Sequence, residues 1–525
     1  MKKPHAGFFF EYRVRRIRKM NSSTPLKRYL EAHRDDFNDV MVAYVSELEI
    51  IARRSPLIAS RIVSEIRNQR SHLKLIASEN FSSPSVHLAM GNLLTDKYSE
   101  GFPYHRYYAG CENVDAVEDY ACQLACKVFG AEHAYVQPHS GADANMCAYW
   151  AILNTMVQVP SLEELGVKHP SALTEEQWKA LREKTGNQKL LAIDYYSGGH
   201  ITHGYRLNIS GHLFRVSSYS VDRKTGLLDY EQIRKQALEV RPLILLSGYS
   251  AYPGKINFRI MREIADECGA VLMVDMAHFA GLVAGKVFTG DYDPVRWADV
   301  VTTTTHKTLR GPRGGMILCK QKFADSVDQG CPLVIGGPLP HVMAAKAVAL
   351  EEASTPEFAD YARRIAENAK ALAQAFKDEG MVLHTGMTEN HLMLLDLSES
   401  GLNGRQAEKA MTACGITLNR NSLPYDKNGP WYTSGLRIGT PAVTTLGMGP
   451  AEMKEIAAII SKVLKNTKPA LITKGENAGT MSKSRVVTDP AVKEEALARV
   501  KALLSRFVLY PELDLEFLEK EFCNA

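Results

Sequence analysis

Between about Leu75 and about Leu350 the chain alternates short β-rich runs with amphipathic helical stretches, and this alternation constrains the fold more than any other feature. Strands that follow one another through a helix pair in parallel, because the crossover returns the chain to the same end of the sheet. Ala134-Tyr135-Val136 runs into the turn Pro138-His139-Ser140-Gly141 and then a helix from Ala142. Leu243 to Leu246 is an apolar run that fits a buried strand, and a helix over Arg259 to Glu267 ends at Gly269 and feeds a strand from Val271 to Asp275. Val300 to Thr305 is β-branched throughout, and Gly311-Pro312-Arg313-Gly314-Gly315 turns the chain into an apolar strand over Met316 to Leu318. The fold class is therefore α/β.

After about Glu351 a long helical stretch leads to a second β/α region, with strands near His391 to Leu397, Ile416 to Asn419 and Leu436 to Ile438. The expected organisation is an N-terminal basic arm and helical segment over 1–75, a large domain over 76–350 and a smaller C-terminal α/β domain over 351–525. Ser161-Leu162-Glu163-Glu164 and Thr174-Glu175-Glu176-Gln177 both have capping-box form, so 160–190 reads as an inserted helical surface element. Residues 474–490, rich in Gly, Ser, Lys and Asn, read as a flexible excursion before a terminal helix.

Composition excludes several classes. No uncharged apolar run approaches the roughly 20 residues that span a bilayer, and a net charge of +4 on 525 residues points to neither nucleic acid nor an acidic membrane surface as the main partner. The local exception is Arg13, Arg15, Arg16, Arg18 and Lys19, behind Gly7-Phe8-Phe9-Phe10. This stretch reads as a solvated basic arm or an extension ahead of a start at Met20, as a transit peptide, or as a nucleic-acid tail. Nine cysteines without a C-x-x-C pair form neither a disulfide framework nor a zinc pattern, so reduced thiols in the cytoplasm and no bound metal are expected. Cys122 and Cys126, four apart on one helix face, read as a core pair or as a metal site.

Four features carry chemistry. Lys307 closes Thr302-Thr303-Thr304-Thr305-His306-Lys307 at a strand end, where α/β sheets place ligands, and a desolvated amine there is nucleophilic toward an aldehyde; the plain alternative is an exposed strand-end lysine. Asp275 ends the apolar run Val271-Leu272-Met273-Val274, and a buried carboxylate needs a cationic partner, whether a protonated ring nitrogen or a structural one. Ser140-Gly141-Ala142 sits at a strand-to-helix junction that suits a phosphate dianion or an ordinary N-cap. Arg437, in Thr433-Ser434-Gly435-Leu436-Arg437-Ile438-Gly439-Thr440-Pro441, offers a two-pronged donor to an α-carboxylate or a surface ion pair. Lysine, acid, anion cradle and carboxylate clamp are four of the five things pyridoxal 5′-phosphate (PLP) chemistry requires, the fifth being a stacking partner for the ring.

These segments resemble the serine hydroxymethyltransferases, PLP enzymes that interconvert serine and glycine with tetrahydrofolate as one-carbon carrier. The likeness runs from about residue 70 to residue 465. It rests also on Ile76-Ala77-Ser78-Glu79-Asn80, Tyr98-Ser99-Glu100-Gly101, Arg106 to Glu112, Gly198-Gly199-His200 and Ser250-Ala251-Tyr252. It implies an aspartate aminotransferase-like large domain on a mostly parallel seven-stranded sheet, a cytoplasmic homodimer with shared active sites, and serine, glycine, tetrahydrofolate and 5,10-methylenetetrahydrofolate as ligands. By position it implies that Lys307 carries the cofactor, His200 stacks on its ring, Asp275 bonds the ring nitrogen, and His278 and Ser250 contact its phenolic oxygen. Ser140, Gly141, Ala142 and His306 would hold the phosphate, with Tyr98, Gly336 and Gly337 approaching from the other subunit. Ser78, Tyr108, His278 and Arg437 would surround the amino acid, Glu100 would be the general acid/base, and Thr304 would belong to the catalytic set. Glu100, Tyr107, Tyr195, Gly199 and Asn421 match folate-contacting positions.

The chain departs from the family pattern at Tyr195-Tyr196-Ser197, in place of a small aliphatic pair and a polar residue, and at Leu333-Val334-Ile335, where glycines are replaced and backbone freedom falls. Rival readings from the same residues are a folate-independent aldolase for threonine-like β-hydroxy amino acids, with racemase side activity, and a non-catalytic PLP-, folate- or RNA-binding regulator.

Overall fold

A computed structural model describes residues 24–523, so the basic stretch at Arg13 to Lys19 and Met20 lies outside the described residues. The described residues divide into two compact units, one holding 24–72 together with 504–523, the other spanning Leu73–Leu503. In the first unit, helices Pro25–Ala32, Asp39–Ala52, Pro56–Ser71 and Leu515–Phe522 enclose Tyr29, Met41, Val45, Leu48, Ala59, Val63, Leu518 and Phe522. Arg70 fastens this unit by donating to the carbonyls of Leu509 (2.8 Å), Tyr510 (2.5 Å) and Leu513 (2.8 Å). Among the described residues no helix is long and apolar enough to cross a membrane.

The second unit is built on a seven-stranded sheet. Its strands are β1 (His133–Tyr135), β2 (Lys189–Ile193), β3 (Arg215–Tyr219), β4 (Ile244–Gly248), β5 (Val271–Asp275), β6 (Val300–Thr304) and β7 (Gly315–Cys319), in the spatial order β1-β7-β6-β5-β4-β2-β3. Only β7 runs antiparallel to its neighbours; the pairs β3/β2, β2/β4, β4/β5 and β5/β6 are parallel. Helices cover both faces, which is why β4, β5, β6 and β7 are buried at every position and read as continuous apolar or β-branched runs. This is the α/β architecture expected from the alternation, and it turns the C-terminal ends of β2, β4, β5 and β6 toward one edge.

A second sheet of four antiparallel strands follows: β8 (Val382–Leu383), β9 (Leu392–Asp396), β10 (Asn419–Asn421) and β11 (Gly435–Gly439), ordered β8-β9-β11-β10. The strand expected over Ile416 to Asn419 is two. Ile416–Thr417 pairs in parallel with Leu73–Lys74, and the chain then passes to β10 through buried Leu418.

Ser161 does not open a helix, because one helical path runs from Gly141–Leu153 through a π-turn at Asn154–Gln158 into Val159–Glu164, and the Ser161 hydroxyl donates back to the Val157 carbonyl (2.6 Å). Thr174 does form its capping box with Gln177. Within 474–490 the segment Met481–Thr488 is a strand paired antiparallel with Thr467–Leu471. The Gly- and Asn-bearing residues that suggested flexibility lie in the turn between the two strands, and the Gln406 side chain donates to the Ser482 carbonyl (2.7 Å).

Candidate active site

A cavity of about 850 Å³ opens at the C-terminal ends of β2, β4, β5 and β6, and β10 and β11 of the second sheet form its other wall. Of the residues expected to act, Ser78, Ser140, Gly141, Ala142, Tyr195, Gly199, His200, Ser250, Asp275, His278, Thr304, His306, Lys307, Asn421 and Arg437 line it together.

Lys307 lies three residues beyond β6, and burial pushes its ammonium down from 10.5 to about 8. Asp275 pulls the other way, while Arg437 and Arg313 push it further down. Asp275 ends β5. Burial alone would raise its carboxyl, but the hydrogen bond and electrostatic pull of His203, then His200 and the Asn145 amide, more than reverse that and hold it well below the usual carboxylate range. Its Oδ2 is 2.9 Å from Asn145 Nδ2 and 3.1 Å from His203 Nε2, and its Oδ1 accepts the Ala277 N–H at 3.0 Å. One lone pair on Oδ1 therefore remains for an N–H donor in the cavity.

The chain around Ser140 is shaped for an anion. Ser140 caps helix Gly141–Leu153, accepting the Asp143 N–H (3.2 Å) and donating to Asp143 Oδ2 (2.9 Å), which leaves the first helical N–H groups facing out of the helix end. A Cβ at position 141 would lie 2.6 Å from Thr304 Cγ2, so any larger residue there would have to displace that side chain. His306 Nδ1 is buried without a hydrogen-bond partner, and burial pushes this ring down to about 3, so it stays neutral and offers a donor or acceptor to a ligand. The Thr304 hydroxyl donates to the Ala277 carbonyl (3.3 Å), bracing the β6 end against the β5 end.

His200 follows the Tyr195–Ser197 turn and Gly198-Gly199. Its Nδ1 lies 2.6 Å from Thr202 Oγ1, and burial with His203 lowers its pKa to about 4, so the ring is neutral at physiological pH. The Gly198 carbonyl accepts the N–H groups of Ser250 (2.7 Å) and Ala251 (3.0 Å), fixing Ser250 at the rim. His278 Nδ1 meets His391 Nε2 at 3.2 Å, and burial carries the His278 pKa well below 6.5. Arg437 of β11 is half-buried, and its partners among the described residues are uncharged: Ser250 O (2.7 Å), Asn419 Oδ1 (3.2 Å) and Ser78 Oγ (3.5 Å). Burial lowers its pKa only to about 10, so it remains a cation without an anion.

The other expected residues form a second cluster. Tyr98 and Tyr108 donate to Oε1 and Oε2 of Glu100, both at 3.3 Å, and their rings meet edge to face at 5.1 Å. The Tyr107 N–H bonds the Glu100 carbonyl (3.0 Å), Gly337 lies against the Tyr98 ring, and Gly336 adopts a φ of 68°. Tyr98, Tyr107 and Tyr108 are 56%, 73% and 46% exposed, and none of this cluster lines the cavity of its own chain. Leu333, one of the replacements for glycine, is exposed. Tyr195 packs its ring 5.2 Å from Tyr196 and 4.9 Å from Tyr205, so the departure from the family pattern at Tyr195-Tyr196 makes an aromatic wall.

Several site residues escaped the sequence reading: Asn145, His203, His391 and Arg313. Asn145 had a signal, for it lies four residues after Gly141 on the same helix face; His203 lies one turn after His200. His391 is brought in by β9, from over a hundred residues away. His200, His203 and Asp275 present ligand atoms within 4.8 Å of one another. The lone pairs of the two histidines are engaged, because His203 Nδ1 accepts the His200 N–H (3.2 Å) and His200 Nδ1 accepts the Thr202 N–H (3.2 Å).

Lysine, acid, phosphate cradle, orphaned His306 and unpaired arginine all fit PLP, and with the seven-stranded α/β sheet they define a PLP-dependent transferase of the aspartate aminotransferase-like fold class. The model of the serine hydroxymethyltransferase family matches residues 51–172 and 168–460. Proteins named serine hydroxymethyltransferase are similar over nearly the whole chain: 61% identity in Treponema pallidum (96% of this chain, 87% of that protein), 55% in Salinispora tropica (91% and 99%) and 54% in Mycolicibacterium smegmatis (90% and 95%). The chain belongs to the serine hydroxymethyltransferase family.

Proposed function

We propose that this chain interconverts serine and glycine, with PLP carried covalently on Lys307 and tetrahydrofolate exchanging the one-carbon unit as 5,10-methylenetetrahydrofolate. One observation carries the reading: a half-buried lysine, its pKa lowered by its surroundings to about 8, shares its cavity with a half-buried arginine that has no anionic partner among the described residues. The lysine suits an aldehyde, the arginine an α-carboxylate.

When bound, the cofactor supplies an electron sink for the pair released as the substrate Cα–Cβ bond breaks. Asp275, kept ionised, would hold a proton on the ring nitrogen through its free Oδ1 lone pair. His200 would cover the ring as a neutral imidazole, and His278 and Ser250 would bond the phenolic oxygen. Ser140, Gly141, Ala142 and His306 would bind the phosphate, with Thr304 bracing the strand end beside them. Arg437, with Ser78, grips the carboxylate and so orients the bond to be broken. Glu100 moves the proton of the departing hydroxymethyl group and Tyr108 orders it, with Tyr107, Tyr195, Gly199 and Asn421 around the folate.

The exposure of Tyr98, Tyr107 and Tyr108 and their absence from their own chain's cavity support a homodimer in which the Glu100 cluster, Gly336 and Gly337 complete the site of the second copy. Nine free cysteines support a reducing, cytoplasmic setting. The test follows glycine and 5,10-methylenetetrahydrofolate from serine with purified protein. The proposal requires them in equal amounts and dependent on tetrahydrofolate; faster folate-independent cleavage of a threonine-like substrate would replace it with the aldolase reading.

A further inference from the structure

Lys346 sits in the middle of helix Pro340–Ala353 with 1% of its surface exposed. Its ammonium donates to three main-chain carbonyls: Val136 (2.5 Å), Pro138 (2.9 Å) and Gly315 (2.8 Å). Two of these belong to the connection from β1 into the Ser140 turn, and the third begins β7. The same segments interlock further, because the Gly315 N–H bonds the Pro138 carbonyl (2.9 Å) and a Cβ on Gly315 would lie 2.1 Å from the Ser140 carbonyl oxygen. A Cβ on Gly314 would lie 2.5 Å from Lys346 Cε, and the Gly314 carbonyl takes the Thr305 N–H (3.1 Å), two residues before Lys307.

An ammonium with three N–H groups on three converging carbonyls is saturated and has one geometry. We propose that Lys346 is a positioning residue for the phosphate cradle, fixing the backbone behind Ser140-Gly141 and supplying a buried positive charge that favours a dianion there. The proposal rests on the reading of Ser140-Gly141 as the phosphate site. Burial pushes the ammonium down to about 7, with Glu118 opposing, whereas three carbonyls placed to accept all three N–H groups favour the charged form that burial disfavours.

The experiment compares the affinities of the full-length apoenzyme for PLP and for pyridoxal, which differ only in the phosphate, using wild type, Lys346→Met and Lys346→Gln. Folding is followed by circular dichroism and thermal unfolding. The expected result is a PLP-over-pyridoxal preference that falls roughly tenfold or more in folded Lys346→Met, and less in Lys346→Gln, which keeps two N–H donors, with pyridoxal affinity little changed. An unchanged preference in either folded variant overturns the proposal, and so does failure of both variants to fold, which would assign Lys346 to the fold as a whole. A wild type with no preference for PLP over pyridoxal would instead overturn the phosphate reading itself.

Discussion

Removing the charge of Asp275 or of Arg437 should move the titration of Lys307 in opposite directions. Asp275 favours the ammonium and Arg437 disfavours it, so Asp275→Asn lowers the midpoint and Arg437→Gln raises it, each by on the order of one pH unit. In the wild type, a value of about 8 leaves roughly a quarter of the amine unprotonated near pH 7.5, where the ordinary 10.5 would leave about one part in a thousand. The gain in reactive amine is about two orders of magnitude. Stability is linked with a definite sign. The folded-state value lies below the unfolded one, so the buried ammonium destabilises the apoenzyme by about 3 kcal/mol below pH ~8, and that burden is relieved as pH rises toward 10.5. The assay labels apoenzyme with a small aromatic aldehyde and borohydride at a series of pH values and quantifies the Lys307 peptide by mass spectrometry. A wild-type midpoint near 10.5, or shifts of the same sign in the two variants, would refute this electrostatic account.

Arg437→Lys replaces a planar fork with a point charge and should raise KM for serine roughly a hundredfold while the protein stays folded; an unchanged KM would remove the clamp assignment. Lys307→Ala and Glu100→Gln should each be inactive, yet random mixing of their subunits should restore about a quarter of wild-type activity, since half the dimers then hold one intact site. No recovery would place Glu100 in its own chain's cavity. Gly315→Ala sets a Cβ 2.1 Å from the Ser140 carbonyl oxygen and should lower stability by about 1–3 kcal/mol and weaken PLP binding; an unaltered Tm would contradict that contact.

The large sheet was legible because its strands are buried on both faces and bounded by Gly and Pro turns. Val271–Asp275 has the bounds the apolar run implied, and Asp275 marks its end for the same reason. The second sheet was less so, since the passage of residues 416–421 from one pairing to another depends on partners far away in sequence. Ser161 shows why a local cap motif is insufficient: its hydroxyl satisfies a carbonyl one turn back, so the helix continues through it. Lys346 had no signal, because Ala345-Lys346-Ala347 looks like any surface lysine on a helix and its three acceptors come from strand ends 31 to 210 residues away. The resemblance already implied that Tyr98, Gly336 and Gly337 approach from a second subunit, but nothing in the residues themselves showed that Glu100, Tyr107 and Tyr108 would stand outside their own chain's cavity with them.

Every step proposed for the site depends on Lys307 bearing the cofactor. Borohydride reduction of the protein as isolated with PLP, followed by peptide mass spectrometry, reads this out. A phosphopyridoxyl group on Lys307 alone is expected; the same mass on another lysine, or none in a preparation that converts serine to glycine, would rule Lys307 out.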